Sequence, residues 1–151
     1  QPLPDLIGFI LERYHAPLHV DLPALVEAAR RVERVHGSKP SCPRGLAALL
    51  QELASELEEH MTKEEQVLFP TILSGQRGAL LHMPIRVMMQ DHDDHGAHLL
   101  QLRELTTDFV PPVVACATWR ALYAGLAKLE TELMEHIHLE NNVLFPRALN
   151  G

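Results

Sequence analysis

Apolar residues recur every three or four positions along four long stretches of the chain, which is the spacing of an amphipathic helix. The four predicted helices run over about residues 3–36, 44–72, 84–109 and 114–149. Strand-like alternation of apolar and polar residues is not sustained anywhere in the sequence. Because the connections between these helices are short and contain glycine or proline, the sequence predicts one domain over residues 1–151, an all-α antiparallel up-down-up-down four-helix bundle.

One face of each predicted helix carries the residues expected to form the core, and this face includes histidine and glutamate. The expected inward positions are Ile7, Leu11, His15, Leu18, Leu22, Leu25, Ala29 and Val32 in the first helix; Leu53, Leu57, His60, Glu64 and Val67 in the second; Ile85, Met88, His92, Leu99 and Leu102 in the third; and Leu122, Leu126, Leu129, Leu133, His136, Glu140 and Val143 in the fourth. Pro17 and Pro23 each lack a backbone donor, so we expect a kink or break just after His15.

The second and fourth helices repeat one phrase, HMTKEEQVLFP at residues 60–70 and HIHLENNVLFP at residues 136–146. The same shift carries His60 onto His136 and Glu64 onto Glu140. A repeat of this length predicts two similar supersecondary units packed against each other. A nearly equal shift relates the inward histidines of the first and third helices, so each helix contributes one inward histidine.

Charge and composition narrow the classes of function. A formal net charge of −7 argues against nucleic acid and anionic membranes as partners, and no apolar stretch is long enough to span a bilayer. The two cysteines, Cys42 and Cys116, are too few for a disulfide framework, and we expect both to be small buried residues. The opening residues lack the basic region of a signal peptide and an initiator methionine, so we expect a cytoplasmic protein and a trimmed chain.

The inward polar residues form a candidate metal site, which consists of His15, His60, Glu64, His92, His136 and Glu140. A single inward histidine is more often a hydrogen-bonded core residue than a ligand, but a buried carboxylate without a partner is costly. Two buried glutamates, each one helical turn from a histidine, therefore predict a cation between them. Four imidazoles and two carboxylates suit a pair of transition metals such as iron or manganese, whereas zinc more often takes four ligands.

The other histidines are expected to lie outside this site. Four of them are predicted to point away from it or into solvent, namely His19, His95, His98 and His138, and two to lie at helix ends, His36 and His82. A competing pattern, the Glu-x-x-His spacing of ferritin-like di-iron proteins, occurs at Glu12/His15, Glu33/His36 and Glu135/His138. The repeat duplicates none of these pairs, so we interpret them as coincidental.

The His-x-x-x-Glu pairs and the four-helix plan resemble the hemerythrin-like domain. More narrowly, the motifs RYH, VERVH-x-x-KP, HM-x-KEEQ-x-LFP and LENNVLFPRAL resemble the family named for the repair of iron centres, over essentially the whole chain. The resemblance implies an oxo- or hydroxo-bridged di-iron centre with the four histidines named above as ligands and with Glu64 and Glu140 as bridging carboxylates. The chain departs from oxygen-carrying hemerythrins at Gly96, where they have a fifth histidine, and at Glu140, where they have an aspartate one residue later. The cysteine-containing N-terminal region of longer family members is absent from these residues.

The resemblance implies a non-haem di-iron protein of the nitrosative and oxidative stress response. It is expected to bind nitric oxide and to aid the repair of damaged iron–sulfur clusters. Reduction of nitric oxide at the di-iron site and donation of iron are two separate hypotheses for its activity. Two octahedral irons offer roughly twelve ligand positions, of which about two, one per iron, stay open for a pair of small diatomic molecules.

Two alternatives remain open, a di-iron sensor or scavenger of dioxygen or nitric oxide without turnover, and a bundle that holds zinc or no redox metal. The expected partners are nitric oxide or dioxygen, damaged iron–sulfur proteins and an unidentified electron donor, and neither nucleic acid nor a membrane is expected to bind.

Overall fold

Residues 2–150 are described in the computed structural model, and all of their regular secondary structure is helical. The helices are α1 (Leu3–Ile10), α2 (Ala16–His36), α3 (Leu46–Lys63), α4 (Phe69–Leu73), α5 (His82–Leu105), α6 (Ala117–Leu139) and α7 (Phe145–Leu149). Three π turns, Leu11–His15, Glu64–Leu68 and Glu140–Leu144, join α1 to α2, α3 to α4 and α6 to α7. A 3₁₀ turn, Gly78–Leu81, precedes α5.

Joined by the π turns, α1 with α2, α3 with α4, and α6 with α7 each form one long helix, and α5 is the fourth. These four long helices pack as a bundle, in which α2 contacts α3 and α6, and α3 contacts α5. The predicted all-α four-helix bundle is therefore confirmed. The third helix ends at Leu105, earlier than predicted, because Thr107, Asp108 and Phe109 have positive φ angles of 52°, 56° and 64° that no α-helix accommodates. Across residues 2–150, none of the helices combines the length and the apolar character needed to cross a membrane.

Each π turn ends two residues before a proline. The prolines are Pro17, Pro70 and Pro146, and the turns end at His15, Leu68 and Leu144. In an α-helix a proline ring clashes with the carbonyl four residues earlier. In the second π turn the N–H of Phe69 donates to the carbonyl of Glu64, five residues back, so the helix is wider just before Pro70. The helix continues past Pro70 after this wider turn, whereas Pro23 lies inside α2 without a π turn and without interrupting it, and Pro84 lies in the first turn of α5.

This geometry corrects the prediction of a kink or break just after His15. His15 has φ −65° and ψ −49°, and Ala16 has φ −59° and ψ −48°, so both residues keep helical angles. The irregularity lies before Pro17, and it is a widened turn and not the end of a helix. As a result, His15 closes a π turn that leads directly into α2.

The π turns also change which residues face the core. Val67, three positions after Glu64, is predicted to face inward, but it is 59% exposed while Leu68 is 2% exposed. In the fourth helix, Leu144 is likewise buried in place of Val143. Because a π turn takes one more residue to complete a revolution, the inward face moves from the third to the fourth position after each glutamate.

The core consists of two apolar clusters separated by a polar layer. Representative members of the first cluster are Leu22, Leu53, Leu102, Trp119 and Leu126, and of the second Ile10, Ile72, Ile85 and Phe145. Every long helix passes through one cluster, then the polar layer, then the other cluster. The predicted inward positions are buried except Val67 and Val143, and Leu11 and Leu25, which are half-buried. The polar layer is therefore enclosed by apolar side chains at both ends.

Replacing Leu68 by alanine should lower the free energy of unfolding by roughly 2–5 kcal/mol, because the change removes a buried side chain from a packed cluster. Val67→Ala, the matched change one position earlier, should alter it by less than about 0.5 kcal/mol, because Val67 lies at the surface. Urea unfolding followed by circular dichroism measures both values. A larger cost at Val67 than at Leu68 would mean that the helix keeps an α-helical register through this turn.

Candidate metal centre

The structure brings the six predicted residues of the candidate site together in the polar layer. Each of them is at most 3% exposed, and they are His15, His60, Glu64, His92, His136 and Glu140. His60 and His136 lie in the last turns of α3 and α6, and the glutamate four residues after each histidine opens a π turn. The histidine and the glutamate of each pair therefore point to the same inward side of their helix.

The donor atoms form two groups that share both glutamates. One group is His15, Glu64, His136 and Glu140, and the other is His60, Glu64, His92 and Glu140. In each group, one ring nitrogen or carboxylate oxygen from every residue lies within 4.8 Å of the others. Four donors at that spacing can contact a single cation, so this buried cluster is able to hold a metal.

Three of the four imidazoles are oriented by a hydrogen bond from the ring nitrogen that faces away from the cluster. His15 Nδ1 donates to Glu65 Oε2 at 2.7 Å, His60 Nδ1 to Asp91 Oδ2 at 2.9 Å, and His92 Nδ1 to Asn141 Oδ1 at 2.8 Å. Because a carboxylate oxygen only accepts, Nδ1 carries the hydrogen in the first two rings. In a neutral imidazole this arrangement leaves the lone pair of Nε2 directed at the cluster, as a metal-binding histidine requires.

The inner nitrogens face carboxylate oxygens, which are acceptors once their carboxyl groups are ionised. His15 Nε2 lies 3.2 Å and His60 Nε2 3.5 Å from Glu64 Oε1, and His92 Nε2 lies 2.9 Å from Glu140 Oε1. Both oxygens of Glu64 and the Nε2 atoms of His60 and His92 are buried without a hydrogen-bond partner. Lone pairs that face each other repel unless a positive charge lies between them, so this donor set fits a metal ion.

The electrostatics of the two carboxylates lead to the same interpretation. Burial raises the pKa of Glu64 well above that of a solvated glutamate, and the adjacent Glu140 raises it further. Two carboxylates this close ionise together only when a cation neutralises them.

Asp91, outside the cluster, stays ionised for a different reason. Burial alone would raise the pKa of Asp91, but hydrogen bonds from His60 and from Lys63 Nζ at 2.9 Å lower it. The ionised Asp91 can therefore hold the ring of His60 with Nε2 inward.

His136 is held by stacking and not by a hydrogen bond from Nδ1. The ring of Tyr14 lies parallel to the imidazole, with 5.1 Å between centroids and 3° between the planes. His136 Nδ1 is buried without a hydrogen-bond partner, while Nε2 lies 2.8 Å from Glu140 Oε2. Tyr14, which belongs to the RYH motif, thus fixes the fourth imidazole through its aromatic face.

The prediction that His95 points away from the site is wrong. His95 is 1% exposed, and its ring meets the ring of His60 edge-on with 5.1 Å between centroids. Burial, together with the neighbouring His60 and His92, lowers the pKa of His95 to about 3, so its imidazole is neutral. His95 belongs to neither group of donors. Its position three residues after His92, on the next turn of α5, was the signal that could have placed it inside.

Most of the other candidates lie outside the cluster, as predicted. His19 is 40% exposed and pairs with Glu58 at 2.8 Å. His98 is only 14% exposed, more buried than predicted, and it pairs with Glu56. Among the Glu-x-x-His pairs, Glu33 accepts hydrogen bonds from backbone N–H groups at the start of α3 and therefore caps that helix.

Comparison with known proteins agrees with this geometry. Residues 7–148 match the Hemerythrin HHE cation binding domain. The whole chain is 56% identical to an iron-sulfur cluster repair protein YtfE of Yersinia pseudotuberculosis serotype IB (strain PB1/+), and the match covers 68% of that relative. A protein of the same name from Yersinia pestis (strain Pestoides F) is equally similar, at 56% identity with 68% of its length covered. The chain therefore belongs to the hemerythrin family, as a member with the HHE cation-binding domain.

Proposed function

We propose that this chain holds two irons side by side, one in each group of donors, and acts in the response to nitrosative and oxidative stress. The observation that carries the proposal is the sharing of Glu64 and Glu140 by both groups. Two carboxylates that each present an oxygen to two neighbouring groups are suited to bridge a pair of cations. In this assignment His15 and His136 complete one position, and His60 and His92 complete the other.

Iron and manganese fit these donors better than zinc, and we assign iron because the relatives are named for the repair of iron-sulfur clusters. Imidazole and carboxylate together suit iron and manganese, and the cluster contains no thiolate among its six residues. Zinc would be satisfied by one group of four donors, which leaves the second pair of imidazoles without a role. When bound, the iron pair supplies the redox chemistry and the open ligand positions, which no side chain of the cluster can supply.

The chain itself provides orientation and a dry environment. Glu65, Asp91 and Asn141 hold three imidazoles with Nε2 inward, and a ligand fixed by such outer partners binds metal more tightly. The two apolar clusters close the layer at both ends and exclude bulk water. A small uncharged molecule crosses such walls more easily than an ion, so the site suits a diatomic gas.

Nitric oxide is the diatomic ligand that we propose, with its reduction to nitrous oxide as the activity. The relatives named as iron-sulfur cluster repair proteins support a role beside damaged iron–sulfur clusters, to which this chain would also donate iron. Gly96, one turn after His92, leaves space for a small ligand, because a Cβ at this position would meet no atom within 4 Å beyond its chain neighbours and its own helix backbone. The second candidate function is a sensor or scavenger that binds the gas without turnover.

Glu64→Ala and Glu140→Ala should each reduce bound iron from about two per chain to well below one, because each glutamate serves both positions. His60→Ala should leave about one iron, because His60 serves only one position. Elemental analysis with circular dichroism measures metal content and fold together. His82→Ala at the surface is the control, and loss of iron in this variant would contradict the assignment.

Iron binding should release protons and weaken in acid. Burial raises the pKa of Glu64, so below this raised pKa the carboxyl group carries a proton. A cation must displace that proton in order to bind, and the competition grows as the pH falls. Ferrous iron should therefore bind more tightly at about pH 8 than at about pH 6. Anaerobic calorimetry in two buffers of different ionisation enthalpy measures the released protons, and equal affinity at both pH values would contradict the linkage.

The reduced, iron-loaded protein should convert nitric oxide to about one nitrous oxide per chain, because two ferrous ions supply two electrons. Anaerobic mixing followed by gas chromatography measures the product, and the absorption spectrum reports binding. New absorption bands without nitrous oxide would support the sensor or scavenger. If neither bands nor product form, nitric oxide is not the ligand.

A further inference from the structure

A second cluster of reactive side chains lies at the opposite end of α2 from the metal centre. His36 is the last residue of α2, 21 residues after His15, which corresponds to roughly 30 Å along the helix. Its Nε2 lies 3.2 Å from Cys116 Sγ. His36 is 8% exposed, whereas Cys116 is exposed, contrary to the expectation that both cysteines are buried. The pair thus combines an accessible sulfur with a positioned base.

The surroundings of the pair favour a reactive thiol. Cys116 is the N-cap residue of the 23-residue helix α6, and its side chain makes no capping hydrogen bond, so Sγ is directed to His36 instead. A helix N-terminus and a neighbouring histidine are both features that can activate a protein thiol. The ring of Trp119, fully buried, lies 5.0 Å from the imidazole and holds it in place.

A cavity of about 330 Å³ opens beside the sulfur and can receive the rest of a reactant. It is lined by Arg31, Val32, Val35, His36, Cys116, Ala117 and Thr118. Val32 and Val35 offer apolar surface, and Arg31 offers a guanidinium that pairs with carboxylates. The lining therefore fits a small molecule that carries both a carboxylate and an apolar part.

We propose that Cys116 and His36 form a thiol-exchange site that takes carboxylate-bearing low-molecular-weight disulfides. His36 Nε2 accepts the proton of the thiol, and the thiolate attacks one sulfur of the disulfide. A new sulfur–sulfur bond forms at Cys116 as the disulfide bond breaks, and the leaving thiolate takes the proton from His36. Cys116 is oxidised, the released half is reduced, and no other reactant is needed.

Cys42 provides an internal contrast within the same chain. It is 6% exposed, and burial raises the pKa of its thiol. A buried thiol of this kind reacts slowly. Modification of the native protein should therefore occur at Cys116 and not at Cys42, and Cys42→Ser leaves a chain in which every reaction reports on Cys116.

The experiment uses the Cys42→Ser chain with 5,5′-dithiobis(2-nitrobenzoic acid), whose released thiolate absorbs visible light, and with glutathione disulfide followed by mass spectrometry. At about pH 6, Cys116 should react about tenfold faster than N-acetylcysteine, and His36→Gln should lower its rate about tenfold. The effect of His36→Gln should shrink at about pH 9, where solvent alone ionises thiols. The single tryptophan, Trp119, should change its fluorescence on modification, because it contacts His36.

Arg31→Gln should slow glutathione disulfide but not cystamine, which has amines in place of carboxylates. A rate at Cys116 that equals that of N-acetylcysteine, or one unchanged by His36→Gln at about pH 6, overturns the proposal. If His36→Gln does not fold, the comparison of the parent chain with N-acetylcysteine decides the question alone. Neither readout depends on bound metal, so the outcome of this experiment is independent of the proposed function.

Discussion

The fold is organised around two carboxylates that are completely buried. Glu64 and Glu140 are 0% exposed and share a polar layer with four imidazoles between two apolar clusters. Burying an unpaired charge costs several kcal/mol, a large part of the about 5–15 kcal/mol that stabilises a typical domain. The imidazoles bring metal-binding nitrogens next to these carboxylates from all four long helices, so a bound cation would neutralise the buried charge and stabilise the bundle.

The backbone departs from an α-helix at each of these buried glutamates. In both copies of the repeat, the glutamate opens a π turn, and a proline follows two residues after the turn. The helix widens before this proline, and the wider turn moves Leu68 into the core in place of Val67. The π turn before each proline keeps the helix continuous and therefore sets the register in which the second apolar cluster packs against the site.

Much of this could be predicted from the sequence, because helical periodicity and a repeated His-x-x-x-Glu pair are strong signals. They predicted the bundle and named the six residues that lie together. What they missed depends on departures from the ideal helix. A regular α-helical period, without a π turn, predicts that Val67 and Val143 face the core. The missing backbone donor of Pro17 predicts a break where the structure has a widened turn. His95 was misplaced because one inward histidine was expected from each helix. In α5, both His92 and His95, three residues apart on adjacent turns, are buried.

The repeat gives the cluster an approximate twofold symmetry, but the hydrogen bonds outside the cluster do not follow it. His60 and His92 each have an oxygen acceptor at Nδ1, whereas in the other pair only His15 has one, and His136 rests against an aromatic ring. An acceptor at Nδ1 makes an imidazole a stronger electron donor. The two groups of donors are consequently inequivalent, so a cation held by His60 and His92 would meet more strongly donating imidazoles than one held by His15 and His136.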